Sequence, residues 1–387
     1  MRWSSLISLC LSISVLGVSP ALGNDLLVPL PAQSPDTPWP TQNWPMGESV
    51  DLSTLLDPVF ASKIDTELGE TRAIIIVKSG EIIYERYREG FTQQTRHVSW
   101  SAAKSITTTL VGRAVQTGLI ASIDDPMPAA FNDGDPRGEI SWRHWLQLLD
   151  GLDYSENGTG ELTSMDAVQM MYGEGKFDQL AYARDNFLPA HTPGTHWNYS
   201  TATFHLVARA VQSLLPGTCV DPDDNSRLCK ANPTIMSDWV NEVLFDPLGI
   251  DGVVEYDAAG TMLGGSNAYM SARDYARFGL LILRDGMWDG QRLLPEGWVD
   301  FNRTNPENSD TNVYGAGFWP TPEQSDDPEM SHLPPYDAFQ ASGREGQLVW
   351  IVPSGDLVIV RVGLMKDSRQ SWNTLFRLAQ TIVAEIE

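Results

Sequence analysis

The stretch Ser101-Ala102-Ala103-Lys104 contains residue types and a spacing that could perform chemistry. A serine hydroxyl is a weak nucleophile at neutral pH unless a neighbouring base removes its proton. Residues three apart on a helix lie on one face, so the Lys104 amine can reach the Ser101 hydroxyl. Burial would lower the pKa of the lysine and make it such a base. The spacing therefore indicates a serine nucleophile beside its own base.

A structural role would explain the same residues. Serine is favoured at helix N-termini, so Ser99 or Ser101 could cap a helix while Lys104 lies in solvent. The residues that follow recur at helical spacing up to Gly118, and their apolar face comprises Ile106, Leu110, Val111, Ala114 and Val115. A helix over 100–117 that buries this face would hold its first turn rigidly, which favours the catalytic interpretation.

Two later stretches could complete such a site. Tyr199 stands in the loop 196–201 before a predicted helix, where it could relay protons if neighbouring cations favoured its phenolate. It could equally be a packed aromatic residue with a satisfied hydroxyl. The small residues and glycines of 341–347 lead into a predicted strand, and backbone N–H groups there could bind an oxyanion. An ordinary glycine-rich turn would look the same.

The elements that must position these residues follow from hydrophobic periodicity. Strands bounded by turn residues are predicted near both ends of the chain, at 72–77, 82–87, 348–352 and 357–364. Helices are predicted at 140–149, 203–215, 271–284 and 368–386. We expect an α+β fold, an α/β sandwich, in which one antiparallel sheet is built from about 70–90 and 340–365. A helical subdomain at about 118–255 would be inserted between them.

The N-terminal region has a different composition. Residues 1–23 combine Arg2, an apolar run and small residues before a possible cleavage point, which is typical of a secretory signal peptide. An uncleaved anchor is the alternative, although this run is short for a membrane span and no later segment is long enough for one. A Pro-rich lead-in at 24–48 precedes the domain that contains these candidate residues, at 49–387. The expected location is periplasmic or secreted.

Composition narrows the possible partners. The formal net charge of −24 argues against binding to nucleic acid or to anionic membranes. In an oxidising compartment Cys219 and Cys229 are expected to form a disulfide, with two buried thiols as the alternative. The six histidines lack metal-ligand spacing, so no metal and no cofactor are expected. His97 and His196 stand next to the candidate catalytic stretches and could support them.

Together, Ser-x-x-Lys at 101–104, Tyr-x-Thr at 199–201 and the small-residue strand at 341–343 resemble the serine β-lactamase and penicillin-binding-protein superfamily. Within it the chain is similar to the class C β-lactamase-related group, which includes esterases and the 6-aminohexanoate-dimer hydrolase. The likeness runs from about 74 to 383. Further similar stretches stand at 123–126, 151–154, 245–250, 264–266, 273–279 and 294–298.

This resemblance implies a β-lactamase/transpeptidase-like fold, an antiparallel sheet flanked by helices, with the site in a cleft beside the helical subdomain. It implies that Ser101 is the acylated nucleophile, Lys104 its base partner and Tyr199 the proton relay. The backbone N–H groups of Ser101 and Arg344 would form the oxyanion hole. The expected substrate contacts are Thr201, Ala341, Ser342 and Gly343.

Two departures from the family pattern bear on the substrate. Ala341 stands where the family has Lys or His, and Thr201 stands where it commonly has Asn, which offers more donors. Without that cation, β-lactam and peptidoglycan substrates are disfavoured unless Arg344 supplies the charge. We therefore expect a cofactor-free serine hydrolase that cleaves a small-molecule ester or amide. A β-lactamase or D,D-peptidase is the alternative enzyme, a penicillin-binding sensor without turnover is the alternative of another class, and the oligomeric state is open.

Overall fold

The computed structural model describes residues 27–128, 131, 134–156, 162–221, 223, 229–307, 309, 313–320 and 337–386. The predicted signal peptide lies outside these residues. Within the described ranges, no helix has both the length and the apolarity needed to cross a bilayer.

The strands are, in chain order, β1 (Glu70–Lys78), β2 (Glu81–Tyr87), β3 (Arg96–Val98), β4 (Val253–Val254), β5 (Ala268–Ser271), β6 (Met287–Trp288), β7 (Gln291–Arg292), β8 (Trp319–Pro320), β9 (Phe339–Gly343), β10 (Gln347–Val352) and β11 (Leu357–Leu364). The helices are α1 (Ser53–Ala61), α2 (Ala103–Gln116), α3 (Trp142–Leu146), α4 (Asp166–Tyr172), α5 (Gln179–Asn186), α6 (Thr201–Ser213), α7 (Pro233–Val240), α8 (Asp246–Leu248), α9 (Ala272–Leu283), α10 (Trp298–Arg303) and α11 (Arg369–Ile386).

The main sheet joins the two ends of the chain. Its strand order is β2-β1-β11-β10-β9-β8, and the pairings are antiparallel, with Ile75 opposite Val360 where the two terminal hairpins meet. The predicted antiparallel sheet built from both termini is therefore confirmed. The edge that carries β9 and β8 is the part of this sheet nearest to the candidate nucleophile.

Both faces of the sheet are covered by helices, which explains the nearly continuous apolar runs in its strands. Ile75 and Val360 point into a core that includes residues of α2, α6 and α9. Ile74 and Ile359 point into a second core formed with α1 and α11. The α+β class and the layered arrangement agree with the expectation.

The helical predictions were less accurate at their ends. The predicted helix 140–149 is reduced to α3. Ser141 caps the start of this helix, because its side chain accepts a hydrogen bond from the His144 N–H. It ends before Leu148, whose φ of 58° is left-handed. The small sheet β3-β5-β4 was not predicted, because its strands of two to four residues are too short to show periodicity.

Candidate active site

Ser101 lies in a single 3₁₀ turn, Trp100–Ala102, directly before α2. The side chain of Ser99 holds this turn, since it accepts from the Ala268 N–H at 2.9 Å and donates to the Trp100 carbonyl at 2.9 Å. Ser99 occupies the N-cap position of this turn, but its side chain makes no capping hydrogen bond there. The N-cap residue of α2 is Ala102, so Ser101 does not cap that helix. Ser101 instead lines a cleft.

Lys104 is 1% exposed, so its interpretation as a solvated surface charge is wrong. Its Nζ atom lies 3.1 Å from Ser101 Oγ, 3.0 Å from Thr201 Oγ1 and 2.7 Å from the Gly265 carbonyl oxygen. Burial lowers the pKa of Lys104 to about 8, while the Glu156 carboxylate acts in the opposite direction. A neutral amine in this position can donate to Thr201 and Gly265 and aim its lone pair at Ser101.

Glu156 is a site residue that the sequence analysis missed. Its carboxylate accepts from the Thr201 N–H at 2.8 Å, from the Thr201 hydroxyl at 2.7 Å and from the Tyr154 hydroxyl at 2.8 Å. The Thr201 hydroxyl therefore donates its proton to Glu156, and its oxygen accepts from Lys104. Thr201 therefore links the glutamate to the lysine, and its expected role as a donor to substrate is not what this geometry shows.

Tyr199 is positioned by the start of α6. Ser200 caps that helix by accepting from the Thr203 N–H at 3.0 Å, which leaves Tyr199 immediately outside it. Its ring lies over Lys104, with 4.6 Å between Nζ and the ring centroid, and it packs against Trp319 at 5.2 Å. The site thus brings Tyr199 to the base and also packs it as an aromatic residue.

The surroundings of Tyr199 favour its neutral hydroxyl over the phenolate. Burial raises the pKa of Tyr199 well above its ordinary value, and the Glu156 charge raises it further, while a hydrogen bond with Ser101 only partly opposes this. The hydroxyl is therefore neutral near pH 7 and can donate or pass a proton. Since burial acts on lysine in the opposite sense, Lys104 is the better base of the two.

The third motif lies against the nucleophile along β9. A Cβ atom on Gly343 would be 2.0 Å from the Ser99 carbonyl oxygen and 3.0 Å from the Ser101 nitrogen, so only glycine allows this approach. Arg344 follows at once, and it lines the same cleft as Ser101. The two backbone segments expected to form the oxyanion hole are thereby adjacent.

Ala341 was an expected substrate contact, but it is not among the residues that line the cleft. It is 1% exposed and packs in the core on the α2 side of the sheet, because alternate residues of β9 face opposite sides. Ser342 and Gly343 do line the cleft, together with Gln340. The position that carries a cation in the family is here part of the hydrophobic core.

The cleft has a volume of about 640 Å³. Its described lining is mostly aromatic and apolar, and it includes Trp100, Met165, Val168, Met171, Tyr172, Trp197, Tyr199, Trp319, Trp372 and Phe376. Charged residues of that lining are Glu156, Arg344 and Asp367. Residues 157–161 and 321–336 lie outside the described residues. No group of three His, Cys, Asp or Glu in the described ranges is arranged to hold a metal ion.

The remaining candidates lie away from this cleft. His97 packs on Phe91, and burial lowers its pKa to about 4. His196 stacks on His191 with 4.0 Å between ring centroids. Neither His97 nor His196 is among the residues that line the cleft. Cys219 and Cys229 are joined as a disulfide with a Cα–Cα distance of 5.6 Å.

Comparison with known proteins agrees with this geometry. The Beta-lactamase family model matches residues 61–218. The 6-aminohexanoate-dimer hydrolase of Paenarthrobacter ureafaciens is 23% identical over 329 residues, which cover 79% of this chain and 76% of that protein. The chain is a serine hydrolase that is similar to the Beta-lactamase family over residues 61–218. The matched segment 61–218 contains both Ser-x-x-Lys and Tyr-x-Thr.

Solved structures of other proteins share the fold of this hydrolase. A protein assigned as a 6-aminohexanoate-dimer hydrolase from Bacillus anthracis superposes with a TM-score of 0.67 at 16% identity, covering 90% of each chain. A novel penicillin-binding-protein homologue from Caulobacter crescentus gives a TM-score of 0.59 at 16% identity, covering 88% of this chain and 99% of that one. These likenesses establish the fold of the hydrolase.

Proposed function

We propose that this hydrolase cleaves an ester or amide bond of a small, uncharged molecule through an acyl-enzyme on Ser101. The observation that carries the proposal is the buried amine of Lys104, 3.1 Å from the Ser101 hydroxyl and with its pKa lowered to about 8. A lysine with that pKa is partly neutral at neutral pH, so it can take the serine proton.

The proposed reaction has two halves. Ser101 Oγ attacks the carbonyl carbon while its proton moves to Lys104 Nζ, and the oxyanion is bound by the N–H groups of Ser101 and Arg344. The proton then passes to the departing alcohol or amine, through Lys104 or the neutral Tyr199 hydroxyl, as the carbon–oxygen or carbon–nitrogen bond breaks. Water then attacks the carbonyl carbon of the acyl-enzyme and gives a proton to the same base. The base passes this proton to Ser101 Oγ as the bond between Oγ and the acyl carbon breaks, which releases the acid and free Ser101.

The uncharged nature of the substrate is supported by the cleft. Its described lining is mostly aromatic and apolar, and the position of the family cation is filled by the buried Ala341. A lactam ring could be opened by the same chemistry, but β-lactam antibiotics and peptidoglycan stems carry a carboxylate that Ala341 cannot pair. Neutral esters and amides therefore fit the site better.

We also propose that the mature protein is periplasmic or secreted. Support comes from the signal-peptide composition of residues 1–23 and from the Cys219–Cys229 disulfide, a bond typical of oxidising compartments. N-terminal sequencing of the protein recovered from a periplasmic extract or culture medium tests this. An N-terminus near residue 24 is expected, and recovery of the intact chain in the cytoplasm would contradict it.

The activity is tested with p-nitrophenyl butyrate and nitrocefin. We expect multiple turnover of the ester, loss of that turnover in Ser101→Ala and Lys104→Ala, and little nitrocefin hydrolysis. The exposed Lys63 supplies a matched control, and Lys63→Ala should retain full activity. Fast nitrocefin hydrolysis would instead establish a β-lactamase. Stable labelling without turnover would establish a penicillin-binding sensor.

A further inference from the structure

Arg344 gives the cleft a cation close to the expected oxyanion hole. It follows Gly343, the residue that lies against the Ser101 backbone, and among the described lining residues it is the one positively charged side chain. The side chain is 55% exposed, so solutes in the cleft can reach it. Guanidinium groups bind carboxylates well, and such a group beside the nucleophile would ordinarily favour substrates that carry a carboxylate.

Asp367 forms an ion pair with this cation. Arg344 Nε donates to Asp367 Oδ2 at 3.2 Å. The second carboxylate oxygen, Oδ1, accepts from Trp372 Nε1 at 2.9 Å, so the aspartate is fixed by the first turn of α11. With Glu156, the described lining holds two carboxylates and one guanidinium, so Asp367 both pairs with Arg344 and repels an incoming carboxylate.

We propose that Asp367 is a specificity residue that pairs with Arg344 and thereby withholds it from substrate carboxylates. The inference rests on the proposed function, because it concerns which molecules reach the acylation site. The preference for uncharged substrates then has two causes, the Arg344–Asp367 pair and the loss of a cation at position 341. A single substitution should then admit carboxylate-bearing esters.

The informative variant is Asp367→Asn. Asparagine keeps an oxygen that can accept from Trp372 but removes the negative charge that neutralises Arg344. Matched probes are 4-acetoxybenzoate with 4-acetoxybenzamide and the two corresponding 3-acetoxy isomers, which share one acyl group and differ in charge. For each variant the measured quantity is the ratio of kcat/KM for the carboxylate to kcat/KM for the amide.

We expect Asp367→Asn to raise this ratio about 5-fold for at least one of the two isomers, a size typical of a partly exposed ion pair. The double variant Asp367→Asn/Arg344→Gln should return the ratio to the wild-type level. Asp57→Asn is the matched control, because Asp57 forms an exposed ion pair with Arg86 and neither residue lines the cleft. It should leave the ratio unchanged.

Two results would overturn the inference alone. In the first, both amide probes are hydrolysed normally but the ratio does not rise in Asp367→Asn for either isomer. In the second, the ratio rises equally in the double variant, which would show that simple charge repulsion acts without Arg344. Failure of the proposed function looks different: the amide probes would not be turned over, or would be turned over equally by Ser101→Ala, and the inference would fall with it.

Discussion

Replacing Glu156 by glutamine should move the pH dependence of acylation to lower pH. The Glu156 carboxylate stabilises the ammonium form of Lys104 and so raises its pKa, against the effect of burial. Removing the charge therefore lowers the pKa of Lys104 further. Because the base acts as the neutral amine, the rising limb of the kcat/KM profile must shift toward acid.

The size of the effect follows from the geometry. With a pKa of about 8, about one Lys104 in ten is neutral at pH 7, against about one in three thousand at its ordinary value of 10.5. Lys104 and Glu156 are separated by two hydrogen bonds through Thr201, of 3.0 and 2.7 Å. An opposite charge at about 4–6 Å changes a pKa by at least about one pH unit. At pH 6 the neutral fraction would then rise about 10-fold.

The assay is kcat/KM for p-nitrophenyl butyrate between pH 5.5 and 9.5. Glutamine retains an oxygen for the Thr201 N–H but holds the network less well, so we also expect a lower plateau at high pH. The height of the plateau depends on how well Lys104 is positioned, whereas the pH of the inflection depends on the pKa of Lys104. Glu242→Gln, at an exposed residue, is the control and should change neither.

The result that would refute this reasoning is a lower plateau with the inflection unmoved or shifted toward higher pH. Glu156 would then hold the site together without acting on the pKa of Lys104. An unchanged profile in both respects would remove Glu156 from the site altogether.

Substitutions at three further positions test the surrounding structure. Gly343→Ala should reduce ester hydrolysis about 100-fold, because the new Cβ would meet the Ser99 carbonyl oxygen at 2.0 Å and displace the oxyanion hole; wild-type kcat/KM would contradict this. Thr201→Val should lower kcat/KM about 10-fold, because it breaks the link between the glutamate and the lysine. Thr201→Ser keeps the hydroxyl and should stay near wild type. Equal losses in the two variants would show that the hydroxyl does not provide this link. Cys219→Ser should lower the free energy of unfolding by about 2–3 kcal/mol in urea titrations without changing kcat, and an unaltered midpoint would show that the disulfide adds no stability.

Local patterns sufficed for the sheet and for the contact between Ser101 and Lys104. The apolar run 74–77 and the turn after it predict a hairpin, since both depend on neighbouring residues alone. The spacing of Ser101 and Lys104 likewise predicts their contact from helix geometry. Tyr199 was a candidate from its position before a predicted helix, and the family resemblance implied its role as proton relay. The structure places its ring over Lys104.

The remaining features depend on contacts that the sequence does not encode locally. Glu156 reaches Thr201 across 45 residues, and Arg344 pairs with Asp367 across 23, so no spacing rule reveals either pair. The charge state of Tyr199 depends on burial and on Glu156, which a motif cannot report.

The central claim is that Ser101 becomes acylated, and covalent trapping tests it most directly. A fluorophosphonate reacts with an activated serine and leaves an adduct that water removes slowly, so the modified residue can be found by peptide mass spectrometry. The account predicts one adduct, on Ser101 in the peptide 97–104, absent in Ser101→Ala and strongly slowed in Lys104→Ala. Labelling of Ser99 or another serine, or unchanged ester hydrolysis in Ser101→Ala, would contradict it.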